Sequence, residues 1–177
     1  MSTPRTLYFA YGSNLSPTQM RSRCPSSPLH PSHPLATLHD HEWFIGERGY
    51  ANIRPCPGRE VVGLLYVMDP RDEGGLDVAE GVPWAYERWG MGVEVYGLGG
   101  EREEGKKGGK EGGEGEGKGE VVRVLVYVDP RTGEGRASRE YVERLRRGRE
   151  ESEKLGLVVG GTWGEGWDEV DGGEGGW

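Results

Sequence analysis

Two short stretches of this sequence carry side chains whose types and spacing could do chemistry. In "LDVAEGVPWAYERW" (residues 76–89), Glu80 ends a short predicted helix, Gly81 follows directly, and Trp84, Tyr86 and Trp89 lie close behind. A carboxylate held among aromatic rings is desolvated, which raises its pKa toward neutrality and suits it to accept and return a proton as a general acid/base. A lone glutamate at a helix end is more commonly a solvated residue, with Asp77 and Glu87 as mere neighbours. In "TLYFAYGSNL" (residues 6–15), a β-branched and aromatic run stops at Gly12 and passes straight into a helix start. Such a junction leaves backbone N–H groups unpaired and pointing one way, able to hold a carboxylate or an oxyanion. Gly12 permits close approach, Ser13 and Asn14 add side-chain donors or acceptors, and Tyr11 can wall the site or donate its hydroxyl. Local chemistry also accommodates a plain tight turn with Asn14 left-handed, the commoner outcome for such a stretch. The lysine and longer glycine spacing of a phosphate-binding P-loop are absent.

Other reactive residues form weaker patterns. His30, His33, His39 and His41 cluster, and His39 and His41 would share one strand face, but no third and fourth ligand accompanies them, so a solvated face is the preferred reading. Cys24 and Cys56 have neither C-x-x-C spacing nor the density of a disulfide scaffold, and are expected as reduced, idle thiols. The basic run 144–149 has acidic residues on both sides and reads as a salt-bridged helix face. A net charge of −8 repels nucleic-acid backbones, which makes nucleic acid an unexpected partner. The longest apolar run, residues 61–68, is too short to span a bilayer and the N-terminal stretch lacks a signal-peptide core, so no membrane partner and a cytoplasmic location are expected.

The elements that must position these residues can be read from periodicity and caps. A strand is expected over residues 6–10, then a helix with Ser16 as N-cap and Pro17 at its first position. A proline-rich loop (25–34) leads into a hairpin of 35–45 and 50–53, then a nearly all-apolar strand over 61–68 expected to be covered on both faces. A short helix follows from Pro70 to Ala79 with Gly81 just past it, then strands over 89–96 and 121–128. Between those strands, residues 97–120 hold eleven glycines, twelve charged residues and one leucine. With nothing to bury, that insertion is expected to be a disordered hairpin extension. Ser138 caps a helix to about residue 155 that gathers Tyr141, Val142, Leu145 and Ser152 on one side. One domain is expected over residues 1–159. The Gly/Trp-rich tail, 160–177, has no assignable structure, although Trp163 and Trp167 could dock on the domain.

Taken together, "YFAYGSNL" (8–15), "WFIGERGYANI" (43–53), "VVGLLYVMDP" (61–70), "LDVAEGVPWAYER" (76–88) and "REYVERLRRG", ending at Gly148, resemble the gamma-glutamylcyclotransferase (AIG2-like) family, in particular its fungal members. The resemblance implies an α+β domain built on a small, mixed, barrel-like sheet with flanking helices. It implies that Tyr11, Gly12, Ser13, Asn14 and Leu15 line a substrate pocket through backbone amides, that Glu80 is the catalytic residue with Tyr86 as its aromatic partner, and that no metal or organic cofactor takes part. The implied reaction is intramolecular cyclisation of small gamma-glutamyl amino acids or peptides to 5-oxoproline with release of the amino acid, a lyase reaction of glutathione metabolism, with one glutamate as general acid/base. A non-catalytic module binding a gamma-glutamyl or carboxylate ligand, and a cyclotransferase acting on glutathione conjugates in secondary metabolism, are the alternatives. No interface pattern sets an oligomeric state, and a homodimer stays open. After Gly148 the chain departs from the fungal pattern, so an altered C-terminal element is expected.

Overall fold

The computed structural model describes residues 5–96, 119–159 and 162–170. Five strands, β1 (Thr6–Ala10), β2 (Leu35–Ile45), β3 (Ala51–Met68), β4 (Glu87–Tyr96) and β5 (Val121–Val128), close a barrel in the order β1-β3-β2-β4-β5. Neighbours run antiparallel except at the seam, where β1 meets β5 in parallel through Tyr8 and Leu125. The protein is thus of the α+β class, with a small mixed barrel as its core. Closure leaves no exposed sheet edge at the strand that carries the opening motif. Phe9, Ala10, Val61, Leu64, Leu65 and Val126 are wholly buried; the consecutive pairs Phe9–Ala10 and Leu64–Leu65 point to opposite faces, so these strands are covered on both.

Three helices flank the barrel: α1 (Pro17–Arg23), α2 (Pro70–Ala79) and α3 (Arg139–Lys154). Each begins at the cap that the sequence marks. Ser16 accepts the Gln19 N–H, Asp69 that of Arg71, and Ser138 that of Tyr141, satisfying donors that a helix start leaves unpaired.

β3 is longer than the sequence suggests. Pro55 and Pro57 argue for a break between residues 53 and 61, yet the hairpin continues through them. A register shift between His39 and His41 absorbs the mismatch: Asp40 takes a φ of 56° and accepts the Gly58 N–H through its carboxylate. The prolines sit where the strand is exposed, so a missing ladder donor costs little there.

α3 lies against a one-turn 3-10 helix, Ser13–Leu15, that directly follows β1. The contact depends on Gly148, a buried position on α3 where an added Cβ would lie 3.2 Å from Leu15 Cβ and 3.3 Å from both Ser13 O and Ser16 N. Gly148→Leu is therefore expected to lose about 2 kcal/mol and roughly 4–8 °C in thermal midpoint. Gly148→Ala should do far less, since a gain of about 1 kcal/mol in helix propensity offsets the tight contact. A Leu variant melting with the parent would show that α3 does not seat on the turn this closely.

Residues 162–170, part of the tail left without structure by the sequence reading, pack on the domain. Trp163 stacks on Trp43 with ring centroids 4.7 Å apart, and Trp167 meets Trp163 edge-on at 4.8 Å. The rest of the tail, like residues 97–118 of the glycine-rich insertion over 97–120, lies outside the described residues. Among the described residues no helix is long and apolar enough to cross a membrane.

Candidate active site

β1 ends at Ala10, and the chain turns at Gly12 with φ −116° and ψ −133°. In the 3-10 turn that follows, Leu15 N–H donates to Gly12 O at 3.0 Å and Ser16 N–H to Ser13 O at 3.2 Å. The N–H groups of Ser13 and Asn14, at the start of the turn, are left without an acceptor within it. Asn14 does not adopt a left-handed conformation; Asp40 is the one non-glycine residue with positive φ among those described.

Glu80 caps the C-terminus of α2 and reaches the same place from the other side. Its Oε1 lies 3.4 Å from Asn14 Nδ2, which also donates to the Tyr8 hydroxyl at 3.0 Å. Asn14 Oδ1 accepts from Gln19 Nε2 at 2.9 Å and from Arg23 at 3.2 Å, and its backbone carbonyl accepts from the buried Tyr66 hydroxyl at 2.9 Å. Two donors on Oδ1 leave one orientation for the amide, with its NH2 toward Glu80. Gln19 also donates to Ser13 Oγ at 2.9 Å, so α1 braces both polar residues of the turn.

Between the turn and Glu80 lies a recess of about 40 Å³, lined by Tyr8, Tyr11, Gly12, Ser13, Asn14 and Glu80, and walled further by Ala51, Tyr86, Tyr127 and Tyr141. It adjoins a wider cleft of about 250 Å³ that shares Ser13, Glu80, Tyr86 and Tyr141 and adds Arg23, Arg48 and Arg144. Burial raises the Glu80 pKa above the ordinary glutamate range, while Arg23, the Asn14 hydrogen bond, Arg144 and Arg48 pull it back. The neighbouring carboxylate on α2, Asp77, is already committed: it accepts from the Tyr127 hydroxyl at 2.6 Å and from Arg88 at 2.7 Å.

The aromatic surround differs from the one expected. Trp84 is 85% exposed and Trp89 is 38% exposed, so of the three aromatics following Glu80 only Tyr86 lines the recess. Desolvation comes from Tyr8, Tyr11, Tyr127 and Tyr141, on β1, the turn after it, β5 and α3, all more than 40 positions from Glu80 in the sequence, which local spacing cannot reveal. Their hydroxyls are largely engaged. Tyr11 donates to Tyr127 O at 2.6 Å, Tyr86 to Ala51 O at 2.8 Å, and Tyr141 accepts the Ala51 N–H at 3.2 Å. Burial raises the Tyr8 and Tyr11 pKa values well above the ordinary range and that of Tyr141 to about 12, so these rings are neutral walls. Leu15 is placed elsewhere than expected: it is wholly buried, faces Gly148 beneath α3, and does not line the recess.

Gln19, Arg23, Arg48 and Arg144 were not singled out from sequence. Arg144 belongs to the run read as a salt-bridged face, and it does pair with Glu140, but its position three residues after Tyr141 also turns it to the cleft. The remaining candidates sit apart. His39 lies on the barrel exterior within 2.5 Å of Glu94 and 3.7 Å of Glu60, and His41 contacts the His39 carbonyl. Among the described residues no three His, Cys, Asp or Glu side chains are grouped to hold a metal ion. Both cysteines are free, and burial pushes the Cys24 thiol up to about 11.

Comparison with known proteins matches residues 8–141 to the family model described as gamma-glutamyl cyclotransferase, AIG2-like. Among solved structures, an uncharacterized human protein is 24% identical over 88% of this chain and 89% of its own, with a TM-score of 0.64. One named gamma-glutamyl cyclotransferase is 24% identical over 86% of this chain and 87% of its own, TM-score 0.62. An Arabidopsis thaliana protein solved in solution is 22% identical over 84% and 87%, TM-score 0.53. These likenesses show a common fold. No curated protein matches the sequence.

Proposed function

Since this chain belongs to the gamma-glutamyl cyclotransferase, AIG2-like family, we propose that it cyclises gamma-glutamyl compounds to 5-oxoproline with Glu80 as the proton carrier. The observation that carries this reading is the approach of Glu80 Oε1 to Asn14 Nδ2 across the recess that Ser13 and Asn14 line.

In a gamma-glutamyl amide the α-amine and the γ-carbonyl belong to one molecule, so catalysis is chiefly a matter of folding the substrate and moving protons. The substrate enters as an α-ammonium. Glu80, ionised, takes one of its protons and the freed amine attacks the γ-carbonyl, forming the N–C bond of a five-membered ring. The carbonyl oxygen becomes an oxyanion, which an unpaired N–H of the turn can stabilise in a site that excludes most water. As the oxyanion collapses, the bond to the departing nitrogen breaks and that nitrogen receives the proton from Glu80; the regenerated carboxylate takes the second proton from the ring nitrogen, leaving a neutral lactam, and passes it to the departing amine, which leaves as an ammonium ion. Atoms and charge balance without any co-reactant. The raised pKa of Glu80 suits this double duty, because the driving force for taking the proton and for giving it back is then more even. Asn14 holds the carboxylate in place, and Gln19 and Arg23 hold Asn14.

Incubation with gamma-glutamyl-alanine is expected to release 5-oxoproline and free alanine in equal amounts, read by chromatography or amine analysis. Silence across a panel of gamma-glutamyl dipeptides, amines and glutathione, with binding retained in calorimetry, would mark a binding module instead.

A further inference from the structure

The outer cleft carries a feature that the cyclisation itself does not use. A chain with a net charge of −8 gathers three arginines there, Arg23, Arg48 and Arg144, around a single carboxylate, that of Glu80. Arg23 is occupied by Asn14. The other two are held on aromatic rings. The Arg48 guanidinium lies 5.5 Å from the Tyr50 ring centre and 5.6 Å from that of Tyr86, and Arg144 lies 5.0 Å from the ring of Tyr141. Tyr50 and Tyr141 meet edge-on at 4.9 Å, so Tyr86, Arg48, Tyr50, Tyr141 and Arg144 form one continuous stack. Such stacking fixes planar guanidinium groups without consuming their in-plane donors.

Those donors are only partly engaged within the protein, each by a single carboxylate among the described residues. Among the described residues Arg48 pairs with one carboxylate, that of Asp129, through a long 3.4 Å contact to Oδ2, while Asp129 Oδ1 holds Arg131 at 3.0 Å. Arg144 pairs with the exposed Glu140, its Nε 2.8 Å from one carboxylate oxygen though out of hydrogen-bonding line and its Nη2 donating to the other at 3.2 Å, a surface pair that engages the guanidinium weakly. Tyr86 and Tyr141 wall both the inner recess and the outer cleft, so the stack begins at the recess beside Glu80 and leads outward.

We propose that Arg48 and Arg144 form a carboxylate subsite for the leaving half, so that the preferred substrates are gamma-glutamyl compounds whose departing amine bears a carboxylate, over gamma-glutamyl amines and amides that lack one. The assignment rests on the cyclotransferase reading and names the substrate class within it. Guanidinium groups preset on rings meet a carboxylate with paired, charge-assisted hydrogen bonds at little ordering cost, whereas a neutral amide leaves them unanswered.

The test compares gamma-glutamyl-alanine with gamma-glutamyl-alaninamide, which differ only at that group. The protein should favour the acid by about tenfold to a hundredfold in kcat/KM, chiefly through KM. Arg48→Gln with Arg144→Gln should remove most of that preference, lowering kcat/KM for the acid at least several-fold more than for the amide. Arg48→Lys, which keeps charge but not the fork, should restore part of it. Equal use of the two compounds by the unaltered protein, or equal losses on both in the double variant, overturns the subsite. If neither compound is cyclised, the catalytic reading fails on its own, and calorimetry decides the subsite: tighter binding of the acid keeps it, and equal or absent binding overturns it.

Discussion

Glu80→Gln is expected to fold as the parent does and to lose 5-oxoproline release by about 10²- to 10⁴-fold, the usual contribution of a positioned acid or base. Glutamine keeps the side-chain length and an oxygen that can accept from Asn14 Nδ2, so the recess should hold its shape. The change strikes kcat more than KM if Glu80 moves protons rather than binding substrate. The parent's pH profile should carry an acid limb displaced above the ordinary glutamate range, because burial raises the Glu80 pKa and the base form must be present for the amine to be freed.

The same group makes a stability prediction of definite sign. A carboxyl whose folded pKa is raised binds more protons in the folded than in the unfolded state between the two pKa values, so folded stability falls as pH rises through that window. Glu80→Gln removes this penalty. Relative to the parent, the variant should gain stability as pH rises from the ordinary glutamate value toward neutrality, with the gap levelling above the raised pKa. A difference in denaturation midpoint that stays flat from pH 4 to pH 8 would mean that Glu80 is not desolvated. Wild-type turnover by the glutamine variant would remove Glu80 as the proton carrier.

Gly63→Ala should produce the largest loss of stability from a single methyl group. Gly63 lies on β3 opposite Ala36 and beside β1, and a Cβ there would meet Ala10 O at 2.4 Å and the Phe9 ring at 2.5 and 2.7 Å. Neither neighbour can yield easily, since Ala10 O is backbone and Phe9 is wholly buried. The cost is expected at about 3 kcal/mol, or a fall of roughly 6–12 °C in thermal midpoint. Because β1 delivers Tyr11 to Asn14, the surviving folded fraction should also turn over more slowly. A loss below about 0.5 kcal/mol, the range of ordinary surface changes, would refute the close packing of β1 on β3.

Much of the local structure was legible because its causes lie within a few residues. Ser16-Pro17, Asp69-Pro70 and Ser138 announce helix starts through capping geometry, and the β-branched runs at 61–68 and 121–128 announce buried strands. The bridging of Pro55 and Pro57 by β3 was not legible, since the bulge that allows it sits on β2. Nor was the exposure of Trp84 and Trp89, because a large aromatic after a turn reads the same whether the fold covers it or not.

What the sequence by itself determined was the pair of stretches, Tyr11 to Leu15 and Leu76 to Trp89, and the local elements that end at each of them. Strand, turn and helix signals act over one to four positions, and those suffice for that much. Only the tertiary structure decided that Asn14 and Glu80, 66 residues apart, stand 3.4 Å from one another, that Leu15 belongs to the core beneath α3, and that tyrosines from distant elements supply the dry surround. Barrel closure brings β1 between β3 and β5, and with it every contact that turns two unremarkable segments into one recess.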